Sequence, residues 1–500
     1  MSEYISASKL QEIATKEYEA LQAKLASGVA LSPKDRMAIP QQEMPVGEPS
    51  ERARLMSEVA LGYTKEQAIV EANRCLQCKN APCVSGCPVN VPIPQFVAEV
   101  AKGEFKKAVD IIKTTNLLPA ICGRVCPQEK QCQGQCTVGK TYKSAEKSVS
   151  IGRLERFVAD FERNNNLQTP AQVAAATGKK VAIIGSGPAG LTVAADVRRA
   201  GHDVTVFEAF HKPGGVMVYG IPEFRLPKSI VASEVEMLKK MGVQFRENFL
   251  VGRTGTLTQL LQEQGFDAAF IGTGAGLPKF MNIEGENLIG VFSANEYLTR
   301  ANLMKAYDTE HADTPLYMAK NVVVVGGGNV AMDAARMAYR LGADHVSIIY
   351  RRTRTEMPAR GEEIAHAEEE GVEFRFLENP VKILGDENGK VRAVEALSYE
   401  LGEPDASGRR SPVAIKGSEH EVPCDAVIVA LGNGSNPLME RTTPGLKADS
   451  KGHIVVDEKG QTSFPAVWAG GDIVLGAATV ILAMGEGRKA AASINEYLAK

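Results

Sequence analysis

The sequence predicts an α/β protein with two Rossmann-like nucleotide-binding domains behind an α-helical, cysteine-rich domain. Three observations predict it. Eight of the nine cysteines fall between residues 75 and 136. Two separate stretches each read as strand, glycine-rich loop, helix, strand. At 500 residues the chain is too long for one core, which suggests two to four domains.

Bulk properties exclude several classes. With 44% hydrophobic and 23% charged residues, most of the chain should fold. A net charge of −3 gives no support for nucleic-acid binding. No apolar run approaches the roughly 18 residues a membrane helix needs. The start, MSEYISASKLQEIATKEYEA, has no apolar stretch behind a basic segment, so no secretory signal is expected. The expected compartment is a reducing cytoplasm, where cysteines stay as thiols or bind metal.

The cysteines come in two runs. CLQCKNAPCVSGCP carries Cys75, Cys78, Cys83 and Cys87 at C-x2-C-x4-C-x3-C-P spacing, and CGRVCPQEKQCQGQC carries Cys122, Cys126, Cys132 and Cys136. Thiolates at such spacings suit tetrahedral zinc. They also suit iron–sulfur clusters, and the C-x3-C-P ending resembles bacterial ferredoxins. Proline there closes the chain round a cluster and offers no competing N–H. Between the runs, residues 93–117 predict two short helices. Phe96, Val97, Val100, Phe105, Ala108, Val109 and Ile112 fit helical spacing and would hold the runs face to face.

The first nucleotide unit is KKVAIIGSGPAGLTVAADVRRAGHDVTVFEA. Gly185 permits a tight turn, Gly187 lets backbone approach a pyrophosphate, and Gly190 lets helix and strand pack closely. The helix N-terminus favours phosphate. Glu208 ends the second strand about 20 residues on, where a ribose-binding acid belongs. The second unit is NVVVVGGGNVAMDAARMAYRLGADHVSIIYRRTR, with Gly326, Gly328, Asn329 and Ala331 as candidate contacts. Its second strand ends in Arg351 and Arg352 rather than an acid. Paired guanidinium groups suit a 2′-phosphate, which favours NADP over NAD. A basic surface turn is the alternative. Two nucleotide units in one chain suggest a flavoprotein that meets a pyridine nucleotide. Near the C-terminus, VWAGGDIVLGAATVILAMGEGRKAA offers Asp472 to a flavin's ribityl or phosphate region. A helix beginning near Ala478 and Thr479 would aim its N-terminus at the isoalloxazine.

In combination, the cysteine block, GSGPAG, GGVMVYGIPEFRLPK (214–228), GGGNVAMD and GGDIVLGAATVILAMGEG resemble one family over roughly residues 35–500. It is that of the small (beta) subunit of NADPH-dependent glutamate synthase. Its relatives include the large subunit of NADH-dependent reduced ferredoxin:NADP oxidoreductase, the sulfide dehydrogenase alpha subunit and the N-terminal half of dihydropyrimidine dehydrogenase. GIPEFRLPK and RRTRTEMPAR look closer to the bifurcating and archaeal-type branch. The resemblance implies FAD as the flavin and two [4Fe-4S] clusters with crossed ligation. One would use Cys75, Cys78, Cys83 and Cys136. The other would use Cys87, Cys126 and Cys132, with Glu155 as the implied fourth ligand and Cys122 its competitor. It also puts Gly215 and Arg225 near the flavin.

The expected fold is therefore α/β, with two Rossmann-like nucleotide-binding domains (FAD and NADP) preceded by an α-helical iron–sulfur domain. Residues 1–175 would form the iron–sulfur domain, 176–312 with 446–500 the FAD domain, and 313–445 the NADP domain. Residues 164–178 read as a linker. A stripe of Leu10, Ile13, Ala14, Leu21 and Leu25 predicts an N-terminal helix that docks a partner or covers the chain's own surface. The implied activity moves electrons between NADP(H), FAD, the clusters and a second redox subunit, with no catalytic acid or base assigned. That subunit would be a small [2Fe-2S] flavoprotein, giving ferredoxin-linked chemistry, or a large glutamate synthase subunit. A zinc-stabilised flavin disulfide reductase and a nucleotide-sensing scaffold are the competing classes.

Overall fold

The computed structural model describes residues 4–404 and 410–500. Helices fill the first third of the chain. The predicted pair forms as Ile93–Ala101 and Phe105–Lys113, and the seven residues of the apolar stripe are buried. Helix Ile151–Asn164 packs on this pair and on Pro119–Val125. The N-terminal helix, Ala7–Ala26, buries Leu10, Ala14 and Leu21 and packs on helix Lys65–Asn73. Most of its stripe therefore covers the chain's own surface, with Leu25 partly buried and Ile13 exposed.

Two parallel five-stranded sheets follow. The first runs in the order Val467–Ala469, Ala268–Ile271, Lys180–Ile184, Asp203–Phe207, Gln244–Arg246. Its strands are continuous apolar runs, as expected where both faces are covered. The last strand in sequence thus completes the sheet that the first one begins.

The second sheet runs Val291–Ser293, Ala426–Val429, Asn321–Val325, His345–Tyr350, Glu373–Phe376. Strand Val291–Ser293 lies upstream of residue 313, yet it pairs with Ala426–Val429 here. Beside this sheet stands an antiparallel layer that the sequence reading did not foresee. In it, Val391–Pro404 pairs with Glu378–Gly385, Arg410–Ala414 and His420–Pro423. The chain passes between the sheets twice, and the two crossings pair with each other at Leu277–Pro278 and Asn433–Gly434.

One apolar core runs from the helical region into the first sheet. It joins Phe96, Ile121 and Leu154 to Val181, Val193, Met484 and Ile494. The linker 164–178 carries almost no regular structure but is pinned to the sheet's edge, where Ala174 N donates to Arg199 O and Thr177 N to Gly201 O.

Candidate functional site

A cavity of about 460 Å³ opens at the C-terminal ends of the first sheet's strands, where a small molecule binds in open α/β sheets. Strand order switches at Lys180–Ile184, which has Asp203–Phe207 on one side and Ala268–Ile271 on the other, all parallel, and the loop 185–190 lines the cavity there. The three glycines of that loop differ in what demands them. A Cβ on Gly185 would lie 2.5 Å from Gly272 O, at φ +96°, and one on Gly190 would lie 2.0 Å from Gly185 O. Protein packing requires both. A Cβ on Gly187 would meet nothing within 4 Å, and its φ of −68° suits any residue. Only something entering the cavity needs Gly187 bare.

Glu208, buried at the cavity wall, accepts from Ser186 N (3.1 Å), from the Ser186 hydroxyl and from Phe210 N (2.8 Å). Gly215 reaches the loop from the other side, where a Cβ would touch Gly187 Cα at 2.8 Å. Asp472 and Thr479 also line the cavity. Burial pushes the Asp472 carboxyl up to about 6, opposed by the N–H of Ala478 that it accepts at 3.2 Å. Thr479 caps helix Val480–Leu498, whose first turn faces the cavity. Asn295 and Thr299, which the sequence reading missed, complete the rim from helix Ala294–Asn302.

Arg225 is the exception. It does not line this cavity. Its guanidinium is buried against Asp333 (2.7 and 2.8 Å) and Glu363 (3.0 Å), so the charge is spent joining the 214–228 segment to the second nucleotide unit.

The second loop repeats the glycine logic. A Cβ on Gly326 would lie 2.5 Å from Ala430 O at φ +145°, whereas one on Gly328 would meet nothing within 4 Å. Asn329 opens helix Asn329–Arg340, and Ala331 is fully buried where helix meets strand. That helix packs on Ala294–Asn302, which links the two nucleotide loops physically. Of the two arginines, Arg351 is exposed. Arg352 is buried, with Nε donating to Arg410 O at 3.1 Å, so part of its donor set holds the antiparallel layer.

The cysteines gather in two groups. Cys75, Cys78, Cys83 and Cys136 line one small cavity, taking three from the first run and one from the second. Cys87, Cys126, Cys132 and Glu155 influence one another electrostatically around a second point. Burial pushes the thiols of Cys75 and Cys87 up to about 11 and that of Cys83 to about 12. Neutral thiols crowded this way lose their protons when metal binds. Four thiols drawn from both runs are a donor set that zinc or an iron–sulfur cluster can take.

Glu155 is buried, and Asn116 Nδ2 donates to its Oε1 at 2.6 Å. Burial pushes its carboxyl up to about 8. Cys122 stands beside this second group, in contact with Cys126 and under the influence of Glu155 and Cys87. Its thiol also donates to Asn116 Oδ1 (3.7 Å) and lies 3.8 Å from Met484 Sδ.

Helix Val480–Leu498 joins the first-sheet cavity and the cysteines. Gln131 Nε2, between Cys126 and Cys132, donates to Thr479 Oγ1 at 3.4 Å. Gly485 passes so close to the first run that a Cβ would stand 3.1 Å from Pro88 O. No cysteine is among the residues lining that cavity, as a flavin disulfide reductase would require.

Comparison with known proteins fits this arrangement. Residues 52–167 match the model described as dihydropyrimidine dehydrogenase domain II, 4Fe-4S cluster. Residues 179–487 match pyridine nucleotide-disulphide oxidoreductase. The NADPH glutamate synthase small chain of Escherichia coli K12 is 39% identical over 447 residues, covering 88% of this chain and 93% of that one. The chain belongs to the glutamate synthase small-chain family. The small chain of Halomonas elongata is 38% identical over 89% of this chain and 94% of its own. The beta subunit of the NADP(+)-dependent formate dehydrogenase of Moorella thermoacetica is 39% identical over 84% of this chain and 60% of its own. FprA from Mycobacterium tuberculosis, solved with NADPH, superposes on 64% of this chain with a TM-score of 0.54 at 21% identity, a likeness of fold. Members of this family are NADPH oxidoreductases with iron–sulfur and flavin modules, and this chain is one. Several relatives are named as chains or subunits of larger enzymes, so a partner subunit is implied. No helix among the described residues is long and apolar enough to cross a membrane.

Proposed function

We propose that this family member carries electrons between NADP(H) and a partner subunit through FAD and two [4Fe-4S] clusters. The observation that carries this reading is helix Val480–Leu498, whose first turns touch both the flavin cavity and the second cysteine group. Bound FAD exchanges an electron pair with the nicotinamide and single electrons with the clusters, which is why the cofactors must stand in that order. The chain's own residues do the positioning. Gly187 and the helix behind it receive the pyrophosphate, Glu208 the ribose, and Asp472 and Thr479 the far half of the flavin. Gly326, Gly328, Asn329 and Ala331 cradle the pyridine nucleotide, and the exposed Arg351 supplies a guanidinium for a 2′-phosphate. Cys75, Cys78, Cys83 and Cys136 hold one cluster; Cys87, Cys126, Cys132 and Glu155 hold the other. A carboxylate in place of a thiolate alters that cluster's potential.

The domains implied are residues 1–175 for the clusters, 176–312 with 446–500 for FAD and 313–445 for NADP, with the pairing of Val291–Ser293 favouring an earlier start to the last. The compartment is cytoplasmic. Relatives of nearly equal length favour a large glutamate synthase subunit as partner. The GIPEFRLPK and RRTRTEMPAR stretches favour the second reading, a small [2Fe-2S] flavoprotein linked to ferredoxin.

An anaerobic pull-down from the native cell extract tests the partner. A large glutaminase-containing subunit supports the first reading and a small iron–sulfur flavoprotein the second. Iron and acid-labile sulfide near eight per chain support two clusters; zinc without sulfide refutes them.

A further inference from the structure

The segment Met357–Gly361, in the RRTRTEMPAR motif and its continuation, has no role in the site as described above. It is wedged between the second glycine loop and the Cys126–Cys132 turn. On the nucleotide side, Ala359 N donates to Gly327 O at 3.2 Å and Arg360 N donates to Asn329 Oδ1 at 2.9 Å. On the cysteine side, Arg360 crosses into the other domain. Its Nη1 donates to Arg124 O (2.9 Å) and its Nη2 to Gln128 Oε1 (3.0 Å) and Glu362 Oε2 (2.9 Å). Lys130 Nζ reaches back to Pro358 O at 2.8 Å.

Gln128 continues the relay. It is buried; its Nε2 lies 3.4 and 3.3 Å from the carbonyls of Cys122 and Gly123, and its backbone N donates to Cys126 O at 2.9 Å. Room for it is made by Gly152, where a Cβ would stand 2.3 Å from Gln128 Nε2. Three bonded groups thus separate the pyridine-nucleotide loop from a cysteine of the second group. Arg360 is only 7% exposed, and its Nε has no hydrogen-bond partner, with the nearest carboxylate oxygen, on Glu129, 3.7 Å away.

We infer that Arg360 is a positioning residue that couples occupation of the second nucleotide loop to the redox state of the cluster on Cys87, Cys126, Cys132 and Glu155. Nucleotide in the loop fixes Asn329, Asn329 fixes the Arg360 backbone, and the guanidinium is held against the cysteine turn. A fixed positive charge there favours the reduced, more negative cluster. Linkage makes the effect reciprocal, so the reduced protein binds nucleotide more tightly than the oxidised protein. This deepens the function proposed above and rests on it.

The probe is tetrahydro-NADP, which carries the pyrophosphate and 2′-phosphate but has no transferable hydride. Its affinity is measured by calorimetry on oxidised and on dithionite-reduced wild-type protein, with cluster signals followed by electron paramagnetic resonance. The expected result is at least about fivefold tighter binding to reduced protein, the lower end of typical coupling. The cluster's midpoint then rises by about 40 mV at saturation, since tenfold corresponds to 59 mV for one electron. Arg360→Gln abolishes the difference and lowers the midpoint, and Arg360→Lys restores part of both, with iron and flavin content unchanged. Equal affinity in the two redox states of wild-type protein overturns the inference without any variant, and so does coupling that survives Arg360→Gln. Absence of analogue binding, or of any cluster signal, overturns the function proposed above and this inference with it.

Discussion

At the scale of single residues, the glycines of one motif separate into those the protein needs and those its ligand needs. Gly190→Ala drives a methyl into Gly185 O, a clash expected to cost about 1–3 kcal/mol. Gly187→Ala places a Cβ that meets no protein atom within 4 Å at an ordinary φ and is expected to leave thermal stability of the apoprotein unchanged. It should instead weaken flavin binding. Melting temperature and FAD content are measured side by side: Gly190→Ala should lower the first and Gly187→Ala the second, and loss of stability in Gly187→Ala would contradict this. Asp472 gives a pH signature. Its folded pKa of about 6 stands above the ordinary aspartate value of about 3.9. Its contribution to stability is therefore full below pH about 4 and lost as pH rises through about 6. Asp472→Asn apoprotein should outlast wild type at pH 7 by up to about 3 kcal/mol in urea and match it at pH 4. Residues of this kind were legible because each serves a backbone need that sequence spacing encodes. Arg225 was not. Its partners Asp333 and Glu363 are more than a hundred residues away, and only the fold reveals that they claim its charge.

At the scale of elements, helix Val480–Leu498 carries the traffic between two sites. Gly487 packs on Ala189 of the first nucleotide loop, and Gly485 packs on Pro88 of the first cysteine run. Gly485→Leu should lift the helix from Pro88 while leaving the cavity's other walls in place. Stopped-flow bleaching of the flavin by NADPH should then proceed at the wild-type rate, while reduction of the iron–sulfur signal slows. A matched fall in both rates would argue against this division of labour. The helix pair at 93–113 was readable from 3.6-residue spacing alone. The antiparallel layer at 378–423 escaped because its strands are irregular, with register shifts near Pro380, Gly385 and Pro404 that break the two-residue alternation. Strand Val291–Ser293 escaped because three residues are too few to show any period.

At the scale of the whole molecule, a buried ion cluster ties an N-terminal strap, the segment carrying helix Pro49–Arg52, to the second nucleotide unit. Glu370, whose side chain is fully buried, accepts from Arg336 (3.0 and 2.7 Å), from Arg340 (2.8 Å) and from Arg52 (3.2 Å). Burial alone would push its carboxyl up; Arg336 and Arg340 overcome this and hold it well below the usual range. The resulting stability is present above the ordinary glutamate pKa and is lost only as pH falls below it. Glu370→Gln leaves Arg340 with no carboxylate partner, while Arg336 keeps Glu363 and Arg52 keeps Glu369, and should cost about 3–5 kcal/mol, visible as a fall in melting temperature at pH 7. A drop under 1 kcal/mol would mean the strap is held by its apolar contacts. The sequence disclosed both nucleotide units and the cysteine runs because those are local patterns. It hid this interface because the participating charges are spread from Arg52 to Glu370 and each looks like ordinary surface.

The order of strands in the first sheet has a consequence for how the protein is made. The second sheet draws its strands from one unbroken stretch, 291–429, and can assemble while the ribosome is still at work. The first sheet cannot, because its edge strand is Val467–Ala469 and its cavity needs Asp472 and Thr479. Flavin loading is thereby postponed until Thr479 has been made. The chain's one tryptophan, Trp468, sits in that closing strand with 1% of its surface exposed, so its fluorescence is a built-in clock for the moment of completion.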